Sequence, residues 1–315
     1  KVQDYTTDPG NPIKGQVWYN ETANTIKVES ETTAGSWATG NSMNSGRYAM
    51  AGVGIKTAAL AAGGFVTADS ALVESWNGSS WTETTDLAQA RRSLAGAGTN
   101  TAAIVFGGIR PGDTVLGNTE SWNGSAWTEV NDLNTARRGL GGNGTQTAAL
   151  AEGGNTYPGG NVANVESWNG TNWTETTDVN SIKNDMATAG TQTSALVFGG
   201  DPSNQAATES WNGSAWTEVA DLNTARQSFG GAGTDNTSAL GFGGYVSSPT
   251  PATANTEEWN GSSWTEVNNL GTARSGLAGA GTQPSALAFG GNPQLTATEE
   301  WTGAGAPVIR TITTD

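Results

Sequence analysis

Along most of the chain, short apolar stretches recur at a near-constant interval and are separated by Gly, Ser, Thr, Asn and Asp. Within one interval, residues 94–98 are Gly/Ala-rich, and residues 102–106 form a continuous apolar run ending at Gly107-Gly108. The first stretch reads as a strand whose backbone is approached closely by another. The second reads as a strand buried on both faces. Residues 72–76 and 80–84 flank Asn77-Gly78, a dipeptide that favours hairpins because both residues tolerate positive φ. A loop of two or four residues there puts Trp76 and Trp81 on one sheet face, against a neighbouring unit. A loop of three or five splits them. The pattern predicts four short strands per interval. Helical repeats are disfavoured, since a Gly every few residues costs a helix about 1 kcal/mol each relative to Ala.

The interval repeats across the chain. Trp76, Trp122, Trp168, Trp211 and Trp259 each begin Trp-Asn-Gly, and Trp301 begins Trp-Thr-Gly, at spacings of 46, 46, 43, 48 and 42. Five residues after the first five stand Trp81, Trp127, Trp173, Trp216 and Trp264, and Trp37 is a sixth copy of that second position. Ten residues later comes a cation: Arg47, Arg91, Arg137, Lys183, Arg226 and Arg274. Each apolar strand then ends in Gly-Gly, and a loop of varying length leads to Glu-Ser-Trp or Glu-Glu-Trp. Units of about 45 residues with four strands predict radial propeller blades.

Composition narrows the reading. Gly supplies 45 of 315 residues and charged residues only 14 %, which alone fits a disordered chain. The 13 Trp decide for an ordered core, because linkers lack such aromatic area. The net charge of −15 repels phosphate backbones and anionic lipid, so neither nucleic acid nor membrane insertion is expected as a partner. With no Cys and no His, disulfides, zinc–sulfur sites, thiol nucleophiles and the usual triads are excluded. The start at Lys1 rather than Met is read as the mark of a processed or excerpted piece.

The order Arg, small strand, apolar strand, Gly-Gly, variable loop, Glu-x-Trp, turn, Trp resembles the Kelch repeat over about residues 36–302. The resemblance implies a Kelch-like β-propeller, all-β, with six four-stranded blades. The strand around Trp37 supplies the outer strand that the last repeat lacks after Trp301. An alternative seven-bladed plan uses 15–39 as three strands of another blade, with 308–313 filling a gap; Val28-Glu29-Ser30 does mimic Val73-Glu74-Ser75. The domain division expected is 1–34 as an N-terminal extension or hairpin, 35–302 as the propeller, and 303–315 as a C-terminal strand or tail. The run Gly-Gln-Val-Trp-Tyr-Asn at 15–20, followed by Thr-Ile-Lys-Val at 25–28, resembles a hairpin of bacteriophage tail-fibre and other virion proteins.

The repeated charges are read as structural. Glu74, Glu120, Glu166, Glu209, Glu257 and Glu299 recur with the Arg series, whereas catalysis needs an asymmetric set of groups. Asp86, Asp132, Asp178, Asp221 and Asn269 suit turns, through side-chain to backbone bonds. No Asp-x-Asp-x-Asp cluster supplies the six to eight oxygens of a calcium site, so no metal or cofactor is expected. Asn-Gly-Ser/Thr at Asn77, Asn123, Asn169, Asn212 and Asn260 matches a glycosylation acceptor, but the turn itself demands Asn-Gly. Copper chemistry of the galactose-oxidase kind lacks ligands. Ser75-Trp-Asn-Gly-Ser-Ser-Trp81 resembles the sialidase turn, yet is one residue short and has Asn for Asp.

Function is expected where the repeat breaks, in the loops 65–71, 109–117, 155–164, 201–207, 245–255 and 292–297. Their most distinctive residues, Arg110, Asp113, Tyr157, Asp201 and Tyr245, are the ligand-binding candidates. The expected role is a non-enzymatic structural or adhesive module of a virion or extracellular surface, touching other surface proteins or further copies of itself. The alternative is a propeller that recognises a host glycan, with a carboxylate-pair glycosidase as a third reading.

Overall fold

The computed structural model describes residues 2–10, 12–31, 34–247, 250–305 and 307–312. Among these residues every regular element is a strand. They form seven four-stranded sheets and two short two-stranded hairpins.

Each repeat unit is one antiparallel sheet in chain order. The first holds Ala51–Ile55, Ala58–Ala62, Val73–Trp76 and Trp81–Glu83, and the second Ala95–Gly98, Ala103–Phe106, Thr119–Trp122 and Trp127–Val130. The third comprises Gly141–Thr145, Ala148–Glu152, Val165–Trp168 and Trp173–Glu175. The fourth comprises Ala187–Thr191, Ser194–Gly200, Gln205–Trp211 and Trp216–Val219. Gly230–Asp235, Ser238–Phe242, Thr256–Trp259 and Trp264–Val267 make the fifth. In the sixth, Ala278–Thr282, Ser285–Phe289 and Thr298–Thr302 are joined by Ser36–Gly40 from the other end of the chain, with Trp37 opposite Trp301.

The first strands of successive units touch in cyclic order, the sixth returning to the first. Their small residues make this possible. A Cβ on Gly279 would stand 2.5 Å from the Gly231 carbonyl oxygen, and one on Gly52 2.6 Å from that of Gly279. The second strands are buried on both faces: Ile104, Val105 and Phe106 are all 0 % exposed.

The hairpin loop holds four residues, so Trp76 lies directly opposite Trp81, on the same face. Their ring centroids are 5.4 Å apart, and Trp81 sits 4.9 Å from Phe289 of the adjacent unit. The Trp76 indole donates to the Lys56 carbonyl at 2.8 Å, and that of Trp81 to Thr298 Oγ1 at 2.9 Å. One Trp thus ties its own sheet together, and the other reaches the next.

The repeated charges pair inside the sheets. Arg91 Nη2 meets Glu120 Oε1 at 2.8 Å with both side chains buried, while Arg91 Nη1 donates to the carbonyls of Gly107 and Asn118. Glu120 also accepts the Ala88 backbone N–H, fixing the connection from the preceding sheet. Four of the five residues of the Asp series work as expected: Asp86, Asp132, Asp178 and Asn269 accept the N–H groups of Val73, Thr119, Val165 and Thr256.

The seventh four-stranded sheet unites the two chain ends. Gln3–Tyr5, Val17–Asn20 and Thr25–Glu31 are completed by Pro307–Ile312, which pairs with Thr25–Glu31. This differs from the alternative seventh unit drawn from 15–39. The strand at 36–40 belongs to the sixth repeat sheet instead, because its Trp occupies the outer-strand position opposite Trp301. Thr313, counted in that alternative, lies outside the described residues.

Candidate functional site

At the end where the variable loops emerge, one residue from each unit precedes the first strand: Ala49, Ser93, Gly139, Asp185, Ser228 and Gly276. All six have φ between 51° and 61°. In this left-handed turn each N–H points to the carbonyl of the preceding unit. Ser93 N–H donates to Ala49 O, Gly139 to Ser93, Asp185 to Gly139, Ser228 to Asp185, Gly276 to Ser228, and Ala49 back to Gly276. These bonds, 2.6 to 2.8 Å long, form a closed cycle around the axis. Within the cycle lies a cavity of about 190 Å³, walled by four residues from each unit. A second, smaller axial space opens at the opposite end, and the two share Gly52, Gly96, Gly142, Thr188, Gly231 and Gly279.

Sixfold repetition makes departures from it informative, and the polar ones gather between the third and fourth units. Thr188 stands where the other five units have Gly, and its hydroxyl donates to the Gly142 carbonyl at 3.1 Å. Asp185 is the one charged member of the cycle, and Oδ1 fills the space left by Gly139, 2.7 Å from where a Cβ there would stand. Glu152 takes the place of Phe106, Phe198, Phe242 and Phe289 (Ala62 in the first unit), and Asn143 replaces an apolar side chain. Glu152 is 0 % exposed. Its Oε1 accepts Asn143 Nδ2 at 2.8 Å, while its Oε2 has no partner. Oε2 lies 3.1 Å from the Cβ position of Gly141, a spot also crowded by Thr188 Cγ2 and Met186 Cε. Burial pushes the Glu152 carboxyl up to about 7, against the lowering effects of Asn143 and Arg137. Burial likewise pushes Asp185 up to about 6; Arg138 opposes that rise and Asp201 adds to it. Asp185 still keeps part of its surface open to the cavity.

Around this mouth the structure brings together two of the five residues singled out from sequence. Tyr157 N–H donates to Asn155 Oδ1 at 2.9 Å, Asn155 Nδ2 to Asn161 Oδ1 at 2.7 Å, and Asn161 Nδ2 to Asp201 Oδ2 at 3.3 Å. Tyr157 is 48 % exposed, and the Arg138 guanidinium lies 5.8 Å from its ring centroid. Asp201 pairs through its backbone with Asn184, whose Nδ2 lies 3.4 Å from Asp185 Oδ2. Arg110 and Asp113 stand apart from that chain of bonds, exposed on the hairpin of Ile109–Arg110 and Thr114–Val115. Tyr245 is half-buried and bonded through its backbone to Gln227, in the connection that leads into its own unit. Sequence reasoning missed Asp185, Arg138, Asn184, Thr188 and Glu152. Aligning the six units position by position exposes three of them, because Asp185, Thr188 and Glu152 each break a column of small or aromatic residues.

The terminal sheet offers a different surface. On one face Trp18, Asn20 and Glu29 are buried, with Asp8 accepting the Trp18 indole N–H at 3.0 Å. The other face carries Val17, Tyr19, Ile26, Val28 and Ile312, none of them buried. Ile26 and Ile312 lie directly opposite each other, 37 % and 41 % exposed.

No family model matches the chain, and no curated protein matches it. The solved structure of YjhT, a propeller-like protein, superposes with a TM-score of 0.66 at 12 % identity, over 87 % of this chain and 97 % of that one. At that identity the likeness bears on fold alone: an all-β propeller built of four-stranded sheets.

Proposed function

We propose that the chain is a six-bladed, Kelch-like propeller that serves as a non-catalytic structural or adhesive module of an extracellular particle such as a virion. Its terminal sheet is the attachment surface. The observation that carries this reading is the exposed pair Ile26 and Ile312, directly opposite each other on a face whose Val17, Tyr19 and Val28 are half-buried. Exposed apolar side chains side by side on a sheet are surface that a partner protein or a second copy buries favourably. The six-blade count is supported by the closed cycle of axial hydrogen bonds and by the Ser36–Gly40 strand in the sixth sheet. Pairing of 25–31 with 307–312 supports treating 1–34 and 303–315 as one attachment unit outside the propeller of 35–302. The non-catalytic reading rests on the buried, repeated use of the charged series.

Sedimentation of the full chain tests the attachment. The wild type is expected to self-associate or to cross-link to its particle neighbours through this face. The pair Ile26→Lys and Ile312→Lys is expected to stay monomeric and uncross-linked with unchanged thermal stability. A wild type that remains monomeric at millimolar concentration, and cross-links to its neighbours only through the propeller, refutes the assignment. Hydrolysis of a glycoside by the purified chain, lost on Asp185→Asn, refutes the non-catalytic half. The glycan reading is carried by Tyr157, an aromatic side chain about half exposed in a variable loop. Glycan-array binding lost in Tyr157→Ala is its expected sign.

A further inference from the structure

We propose that the axial cavity, where the third and fourth repeat units meet, binds a primary ammonium group with Asp185 as its counter-ion. The chemistry of the wall points there. Five of the six units contribute Gly, Ala, Ser and apolar side chains; the fourth contributes Asp185 and Thr188. Beside Thr188, the fully buried Glu152 holds an unpartnered carboxylate oxygen, and at the mouth the buried Asn184 holds an unpartnered Oδ1. The Glu152 oxygen is sealed beside the cavity; Asn184 Oδ1, next to the Asp185 carboxylate, is the acceptor left at the mouth, so an occupant that completes it carries N–H donors.

Charge points the same way. Arg137 and Lys183 are taken up by Glu166 and Glu209. That leaves Arg138 as the cation acting on Asp185, against Asp185 and Asp201 at the mouth. The cluster is short of positive charge, and Arg138 is drawn over the Tyr157 ring. A calcium or magnesium ion suits the cavity poorly, since it asks for six or more oxygens. Among the described residues no group of three or more metal-binding side chains converges. An ammonium is compact and presents three donors to a carboxylate and neighbouring carbonyls.

Because Asp185 is held up by burial, faced by Arg138 and Asp201 and bordered by Asn184, occupancy should weaken as pH falls through about 6. The group can come from a free small amine or from the lysine side chain of a partner, and two probes separate these sources.

The test is titration of the full chain at pH 8, followed by NMR shifts, with methylammonium chloride and with Nα-acetyl-lysine methylamide. Saturable binding of methylammonium is expected, weakened about tenfold or more by Asp185→Asn and by lowering the pH to 5. Equal binding of the lysine probe identifies a partner's side chain as the source; binding of methylammonium alone identifies a free amine. Asn tolerates the left-handed φ of 51° at this position, so the variant should keep the native fold. Asp201→Asn gives a second, milder loss. Absence of saturation, wild-type affinity in a folded Asp185→Asn protein, or equal binding of tetramethylammonium, which has no N–H, overturns the proposal.

Discussion

Replacing Glu152 with Gln should stabilise the protein, and more so as pH rises. Glu152 is fully buried, with one oxygen bonded to Asn143 and the other unpartnered. Burial raises its carboxyl from 4.5 to about 7. The folded state therefore holds a proton that the unfolded state has released between these two values. Stability falls as pH rises through that window and levels off above it. At about 1.4 kcal/mol per unit, the full cost above pH 7 is about 3 kcal/mol. Glu152→Gln keeps the acceptor for Asn143 and removes the charge. Urea unfolding followed by Trp fluorescence should show the variant more stable by about 3 kcal/mol at pH 8 and by less than about 1 kcal/mol at pH 5. Other carboxylates tilt both curves equally, so the difference between the two proteins is the quantity to read. An equal difference at both pH values would mean that Glu152 titrates as an ordinary carboxylate, and the argument from burial would fail.

Three further outcomes follow from the packing. Trp37→Ala removes ring contacts to Trp301 and Phe242 and the bond to Thr256. It should cost about 3 kcal/mol and speed amide exchange in 298–302 beyond that of the second-unit strands; unchanged protection there would show that the terminal strand does not hold the sixth sheet. Gly279→Ala sets a Cβ 2.5 Å from the Gly231 carbonyl oxygen, so thermal unfolding should report a loss of about 1–3 kcal/mol. Arg137→Met strands Glu166, whose side chain is 2 % exposed, at a cost of about 3–5 kcal/mol. Adding Glu166→Gln should return much of that loss, and a strictly additive double variant would deny the coupling.

Local chemistry made the units legible. An apolar run buried on both faces marks a strand wherever it occurs, and the stretch at 102–106 reappears as Ala103–Phe106. Asn77-Gly78 fixes a turn through Asn Oδ1, which accepts the N–H groups of Ser79 and Ser80, and through Gly φ of 92°. The parity of that turn then sets the Trp pair on one face. Repetition likewise separated the structural Arg and Glu series from a site, because a residue needed in every unit answers a need of every unit.

The candidate site was less legible because its members meet only after the units have turned about an axis. Asp185 reaches into the space above Gly139, 46 positions earlier in the chain, and no local pattern joins them. Tyr157 and Asp201 stood out as loop residues, yet the amide bridge of Asn155 and Asn161 that links them depends on how two loops lean together. The same holds at the chain ends. The sequence by itself determined the strands, their turns and the inward faces, since these follow from side-chain period and backbone preference within a few residues. Only the tertiary structure decided that Ile26 lies beside Ile312 and that Glu152 is sealed beside an axial cavity. Burial, and the charge imbalance it enforces, are properties of neighbours brought from afar.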